Sequence, residues 1–322
     1  MRNAMTCIPL ILITAQAQAA EPVAAYPNKP VRMIVPWAPG GSTDLLARVV
    51  AQKFAETWLQ PVVVDNRPGA SGNIGSDIVA KSAPDGYTLL VGSMSTHVMN
   101  PALFDRMPFK GVDDFEPVAL MAYVRNVLVA HPSVPANSVG ELIALAKSQP
   151  GRISYASAGV GSTNHLCAEL FRKLANVDIF HVPYKGGGPA VVDLVGGHVM
   201  IFLTGYTNVA EHVKAGRLKL LGVTETKRAP YLPNVPTVGE TLPGYEMAVY
   251  YLMLAPRATP RAIVNQLNAA ASRALALPAV NQRLTAIGAE PAAITPEQLA
   301  KILHSDLAKW TGTIREIGAK AE

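Results

Sequence analysis

A short β-rich run, Val31–Val35, leads into Pro39-Gly40-Gly41-Ser42-Thr43-Asp44 and then a helical pattern, and this strand–glycine–helix junction constrains the fold more than any other feature. Glycines let the backbone turn sharply with its N–H groups exposed. A helix starting there presents unpaired donors and a partial positive charge, which suits a carboxylate or phosphate. Ser42 or Thr43 is placed to cap the helix. Asp44 is read as loop support, because its charge favours a helix N-terminus but repels an anion. Over Ser42–Trp58 the apolar residues Leu45, Leu46, Val49, Val50, Phe54 and Trp58 recur at helical spacing, while Asp44, Arg48, Gln52, Lys53 and Glu56 fill the other face.

The alternation continues with β-rich runs at 62–64 and 87–91 around a helical pattern at 73–81, which is the grammar of parallel βαβ units. A second series follows Pro150-Gly151: runs at 153–156, 179–182, 199–203 and 218–223 alternate with helical patterns at 163–174, 189–195 and 207–215. Two extended apolar stretches, 117–130 and 247–255, flank that series, and helical patterns at 261–275 and Pro296–Ile317 close the chain. This order predicts an α/β protein of two lobes joined by two crossings. Residues 20–122 and 251–322 are assigned to one lobe and 123–250 to the other.

The junction recurs in the second series as Ser157-Ala158-Gly159-Val160-Gly161-Ser162-Thr163-Asn164-His165. Open α/β sheets bind ligands beyond the carboxyl ends of their strands, so the two turns are expected to face one cleft from opposite lobes. Expected ligand positions are Ala38, Gly40, Gly41, Ser42 and Thr43 in the first turn and Ser157, Ala158, Gly159, Ser162, Thr163 and His165 in the second. Ser95 and Thr96, beyond the run at 87–91, and Thr204 and Gly205, beyond the run at 199–203, complete the set. His165 is able to donate to a ligand oxygen or to a backbone carbonyl, and both readings stay open. Either turn taken singly also fits an ordinary βα connection.

Other chemistries fit these residues poorly. Gly159-Val160-Gly161 has Asn164 where a dinucleotide fingerprint needs its third glycine, and no Gly-Lys-Ser/Thr occurs, which sets nucleotides aside. Gly69-Ala70-Ser71-Gly72-Asn73 has its second glycine one position early for a nucleophile elbow. No acid–base–nucleophile set is recognisable, so a secreted hydrolase of a carboxylate ester is only the competing reading. The seven histidines show no metal-ligand spacing, and neither a metal nor another cofactor is expected.

The chain opens Met1-Arg2-Asn3, is apolar from Met5 to Thr14 and then reads Ala17-Gln18-Ala19-Ala20, the anatomy of a secretory signal peptide occupying residues 1–19. Cleavage is expected after Ala19, with Ala17 and Ala20 as alternatives; the apolar stretch is too short to span a bilayer. Cys7 falls within that leader, so Cys167 stands alone and is expected to be buried between Leu166 and Leu170. With 49% hydrophobic and 16% charged residues, the chain has ample core material and no sign of disorder. The net charge of +5 is scattered singly or in pairs such as Lys227-Arg228, which gives no stripe for nucleic acid and only a mild preference for anions.

A family resemblance rests on Tyr26-Pro27 with Lys29-Pro30, the 36–44 loop, Val64-Asp65-Asn66-Arg67-Pro68-Gly69-Ala70, Asn100-Pro101 and residues 157–166. It extends through Val182-Pro183-Tyr184-Lys185-Gly186-Gly187-Gly188-Pro189-Ala190, Gly196-Gly197 and Pro233-Asn234-Val235-Pro236-Thr237. Over nearly all of its mature length the chain resembles the periplasmic substrate-binding receptors of tripartite tricarboxylate transporters, the Bug receptors. The resemblance implies a two-lobed Venus-flytrap fold and a monomeric periplasmic receptor, not an enzyme. It also implies a small carboxylate held between the lobes by the two turns, often through ordered water, and handed to membrane transporter subunits. A membrane sensor as the downstream partner is not separated from a transporter by sequence.

Two departures bear on the ligand. Many relatives carry an acid after the strand at 199–203, where this chain reads Phe202-Leu203-Thr204-Gly205. An acid suits an ammonium, so its absence implies a plain dicarboxylate, tricarboxylate or aromatic carboxylate such as terephthalate, not an amino acid. Relatives also often carry tryptophan before Ala255-Pro256, where this chain has Tyr250-Tyr251; these either stack on an aromatic ligand or line the hinge and core.

Overall fold

The computed structural model describes residues 26–286 and 288–317; the expected leader and its cleavage position lie outside them. In chain order the first part comprises β1 (Val31–Val35), α1 (Ser42–Trp58), β2 (Val62–Asn66), α2 (Asn73–Ala80), β3 (Thr88–Ser93), a π-helical turn (Ser95–Met99), α3 (Asn100–Leu103) and β4 (Phe115–Val124). The middle part comprises β5 (Asn126–Ala130), α4 (Val139–Ser148), β6 (Ile153–Ser157), α5 (Thr163–Ala175), β7 (Ile179–Pro183), α6 (Gly187–Val195), β8 (Ile201–Gly205), α7 (Tyr206–Lys214), β9 (Lys219–Val223) and α8 (Val238–Thr241). Then come β10 (Val249–Pro256), α9 (Arg261–Ala276), α10 (Pro278–Ala286), β11 (Ala289–Pro291) and α11 (Pro296–Ile317).

These strands form two sheets, ordered β11-β4-β10-β3-β1-β2 and β7-β6-β8-β5-β9, one in each lobe. Within each sheet the βαβ units pair in parallel: β1 with β2 and β3, β6 with β7 and β8. The strand entering from the other lobe runs against them. β10 lies antiparallel between β3 and β4, and β5 antiparallel between β8 and β9. Each lobe is thus locked by a strand that has just crossed from its neighbour.

The apolar stretch expected as one extended segment at 117–130 divides at Arg125, because β4 pairs in the first sheet and β5 in the second. Similarly, β10 joins the first sheet from Val249 onward. The expected lobe boundaries, 122/123 and 250/251, therefore fall two residues inside β4 and β10. Hydrophobic continuity conceals the transfer, because β5 is buried throughout and β4 is buried over 118–122 and again at Val124.

The expected helix stripe packs in all but one member: Leu46, Val49, Val50 and Phe54 are buried in the main core and Trp58 packs against it, while Leu45 is only half-buried. Each such side chain contributes about 1.5–3 kcal/mol on burial. The second sheet is covered on both faces, as parallel βαβ construction requires. Leu128 and Ala130 join the main core, while the alternate residues Val127 and Val129 face a smaller cluster with Phe202, Leu194 and Val209. Among the described residues, no helix is long and apolar enough to cross a membrane.

Candidate functional site

The first turn ends in a helix without a side-chain cap. Its N-cap is Gly41, not Ser42 or Thr43, so the first-turn donors of α1 gain no side-chain acceptor. Gly40 adopts the left-handed region at φ +84 and donates its N–H to Asp44 Oδ2 at 3.0 Å. The same carboxylate receives Arg48 Nε at 3.0 Å and Asn66 Nδ2 at 3.0 Å. Asp44 is 3% exposed; burial works to raise its pKa, but hydrogen bonds from Arg48, Gly40 and Asn66 outweigh that and hold it below the ordinary value. Its charge is spent on the loop.

The second turn satisfies itself. Gly159 donates to Ser157 Oγ at 3.0 Å, Gly161 donates to His165 Nδ1 at 3.2 Å, and the N-cap Ser162 accepts from His165 N at 3.3 Å. Ser157 Oγ also meets His181 Nε2 at 2.5 Å. The rings of His165 and His181 stack at 4.3 Å. Burial depresses both, the charge of His165 adding to the effect on His181, whose pKa falls to about 4. Because Nδ1 of His165 accepts, the neutral ring carries its proton on Nε2.

Two further helix starts from the second lobe close on the first turn. Glycine is required at 186 and 188: a Cβ on Gly186 would lie 2.9 Å from Ala38 Cβ, and one on Gly188 2.5 Å from the Pro39 carbonyl oxygen. Ala38 N–H donates to the Lys185 carbonyl at 3.3 Å. The α6 helix begins at Gly187, two residues before the expected 189, which carries its uncapped N-terminus to the cleft. At α7, Ser42 Oγ donates to Asn208 Oδ1 at 2.9 Å and also meets Thr207 Oγ1, while Asn208 Nδ2 donates to Thr204 Oγ1 at 2.7 Å.

These elements enclose an inner cavity that leaves about 30 Å³ for the centres of water-sized groups. It is lined by Trp37, Gly41, Ser42, Thr43, Ser93, Ala158, Ser162, Thr163, Asn164, Gly187, Asn208 and Tyr251, and no acidic or basic side chain is among them. An anion held there meets neutral donors and positive helix ends. Beyond Trp37 and Ala158, which line both, lies an outer cavity of about 250 Å³ bounded by residues 69–71, Phe104, Gly159, Val160, Tyr184 and Lys185.

Of the expected ligand positions, Gly41, Ser42, Thr43, Ala158, Ser162 and Thr163 meet at the inner cavity, and Gly159 at the outer. The others stand behind these walls. Ala38 and Gly40 shape the first turn and its contact with the glycine triplet. Ser95 is fully buried against Ser93 Oγ at 2.8 Å, and Thr96 donates to the Ser71 carbonyl at 3.2 Å. Ser157 turns to His181 and His165 to Gly161, so neither lines a cavity. Thr204 is fully buried beneath Asn208, and Gly205 packs so closely that a Cβ would stand 2.8 Å from Ser42 Oγ. Cys167 is fully buried, and burial pushes its thiol up to about 12, which suits packing and not nucleophilic attack.

Sequence reasoning missed Trp37, Ser93, Asn164, Gly187 and Asn208 as lining residues. Gly187 stood in a conspicuous glycine triplet, and its place at a helix start was the available signal. Asn208 carried none, since only tertiary pairing brings α7 to Ser42. The tyrosine pair resolves by strand alternation: Tyr250 hydroxyl donates to Asp306 Oδ2 on α11 at 2.9 Å, while Tyr251, paired with Ser93, lines the cleft.

Comparison with known proteins agrees with this architecture. The family described as tripartite tricarboxylate transporter family receptor matches residues 46–319. The chain is 39% identical to protein BugT of Bordetella pertussis, covering 99% of each chain. An R. palustris protein solved with adipate is 36% identical, with a TM-score of 0.89 over 92% of this chain and 100% of that one. The periplasmic binding protein BugD is 33% identical, with a TM-score of 0.88 over 92% of this chain and 100% of that one. With its two lobes and a cleft lined by donors, the chain belongs to the tripartite tricarboxylate transporter receptor family and is a solute-binding receptor, not an enzyme.

Proposed function

We propose that this chain is an exported, monomeric receptor that captures a small carboxylate without an ammonium group between its lobes and hands it to membrane transporter subunits. The carrying observation is the inner cavity, where the uncapped starts of α1 and α6 meet the capped start of α5 and no charged side chain intrudes. Helix N-termini favour a carboxylate there. An ammonium would lack a carboxylate partner in either cavity lining. The relative solved with adipate supports the ligand class. The lobes follow the sheets, residues 26–124 with 249–317 against 126–248, so that a ligand touching both turns favours the closed arrangement.

A thermal-shift screen of mono-, di- and tricarboxylates, with aspartate and glutamate as amino-bearing controls, tests this reading. A true ligand at a hundredfold excess over its Kd stabilises by about 2.7 kcal/mol, which raises the Tm of a chain this size by about 4 °C. A flat response across the panel sinks the receptor assignment to carboxylates. Binding of aspartate with the plain dicarboxylates silent overturns the ammonium-free class.

A further inference from the structure

Five described residues other than glycine have a positive φ: Leu59, Ala70, Ser71, Asn176 and Ala258. Leu59 and Asn176 close α1 and α5, where left-handed backbone is ordinary. Ala70 and Ser71 close no helix. They stand between Gly69 and Gly72, so that four consecutive residues hold φ values of +133, +44, +53 and +88. A side chain in the left-handed region is costly, and glycine at 70 and 71 would avoid the cost. Backbone strain of this kind persists where the surroundings over-determine it, and it gathers at clamps and switches.

The surroundings do fix Ser71. Its carbonyl accepts from Thr96 Oγ1 at 3.2 Å and from Asn100 Nδ2 at 3.0 Å, and Asn100 Nδ2 also donates to Asn73 Oδ1 at 2.8 Å. All three partners are buried. The Ser71 hydroxyl takes no part in this bracing; it donates to the Val160 carbonyl on the other lobe. Val160 stands at the tip of the second turn, between Gly159 and Gly161, both at positive φ. That tip is seated on the first lobe, since a Cβ on Gly161 would lie 3.2 Å from Asn100 Oδ1 and 3.2 Å from Phe104 Cε2. Asn100 thus supports both the tip and the serine that holds it. Ser71, Gly159 and Val160 all line the outer cavity, so the bond joins its two walls.

We propose that Ser71 is a closure latch: its hydroxyl, carried on a left-handed segment of the first lobe, holds the tip of the second lobe's turn and keeps the lobes shut over a bound ligand. It acts through Val160 and not on the ligand, which makes it a positioning residue. The strained segment places a hydroxyl where glycine would be easier to accommodate but would hold nothing. Breaking one net hydrogen bond between lobes speeds release, whereas entry into an already parted cleft does not depend on it. The latch rests on the receptor reading above and goes beyond it, because it sets how long a ligand stays and not which ligand binds.

S71A and S71G test it together. Both remove the hydroxyl, and S71G also relieves the left-handed strain. Association and dissociation are followed by surface plasmon resonance on the immobilised receptor, with adipate, malate, citrate and benzoate as probes. For the tightest of these, both variants are expected to release about fivefold faster than wild type, with association changed less than about twofold. S71G is expected to melt about 2 °C above S71A. A serine that served only to shape its own loop would move melting and leave release alone, and glycine would serve as well. Wild-type release from S71G, a loss that falls on association, or S71A melting at or above S71G overturns the latch and leaves the receptor reading intact. Silence from all four probes with wild-type protein overturns both.

Discussion

The two strand–glycine–helix turns share a grammar but differ in one residue of register. In the first, Ser42 is already the first residue of α1 and Gly41 is the N-cap; in the second, Ser162 is the N-cap and α5 starts at Thr163. Each turn is braced by a side chain four residues beyond a left-handed glycine: Asp44 accepts from Gly40 N–H, and His165 accepts from Gly161 N–H. The first brace is a carboxylate and leaves the helix donors above it open. The second is a neutral imidazole, and the serine cap consumes a donor besides. The first turn is therefore built to meet an anion, whereas the second is built chiefly as a rigid wall that offers Thr163 and Asn164.

Acid should expose that difference more than any substitution. Burial holds His165 below its ordinary 6.5 and, with the charge of His165, His181 down to about 4, so between these values the unfolded chain binds more protons than the folded one. The second turn's contribution is full above about pH 6.5 and is lost as pH falls toward 4. Asp44 has the depressed carboxylate pattern, so the first turn keeps its contribution down to the ordinary 3.8 and loses it only below. Other groups titrate in the same window. His97, buried and lowered to about 4, adds to the slope, while Glu225, raised by burial to about 7, opposes it because its contribution is full at low pH and lost as pH rises through that value. The difference between wild type and H181Q in denaturant stability isolates the second turn. It is expected to shrink by an amount on the order of 2 kcal/mol from pH 7 to pH 4. An unchanged difference would place the acid response outside this turn.

What was legible in the sequence follows the range of the interactions. The α1 stripe, the βαβ alternation and both turns are local patterns, and each is present in the structure. The division of 117–130 at Arg125 is not local, because pairing partners decide it, with β10 on one side and β8 and β9 on the other. The site divides in the same way. Residues on the turns reach the cavity by their own backbone geometry, whereas Ser93 and Tyr251 arrive through strand register and Asn208 through lobe contact. His165 and Ser157 stood on the turn in sequence, yet their orientation depended on His181, which β7 supplies.

Removing the hydroxyl of Ser42 sharpens the comparison from the ligand side. That hydroxyl ties α1 to Asn208 and Thr207 of the opposite lobe, contacts made between lobes and not within the turn. S42A is expected to weaken ligand binding about tenfold, the worth of one or two net hydrogen bonds. Its unfolding stability should also fall, by about 1 kcal/mol, since the hydroxyl is buried and its loss leaves Asn208 Oδ1 without that donor. Calorimetry and urea denaturation on the same samples separate the two effects.

Ser162 should act on stability and hardly on affinity, with a smaller total effect. Its hydroxyl caps α5 by accepting from His165 N, so S162A is expected to cost about 1 kcal/mol of unfolding stability. Ligand affinity should move less than about threefold, as expected of a second turn that serves as a wall while the open donors of the first turn meet the anion. S162N supplies another capping side chain and is expected to recover most of the stability. If S162A instead costs affinity as S42A does, the second helix start also faces the ligand with open donors, and the two turns are equivalent captors despite their different registers.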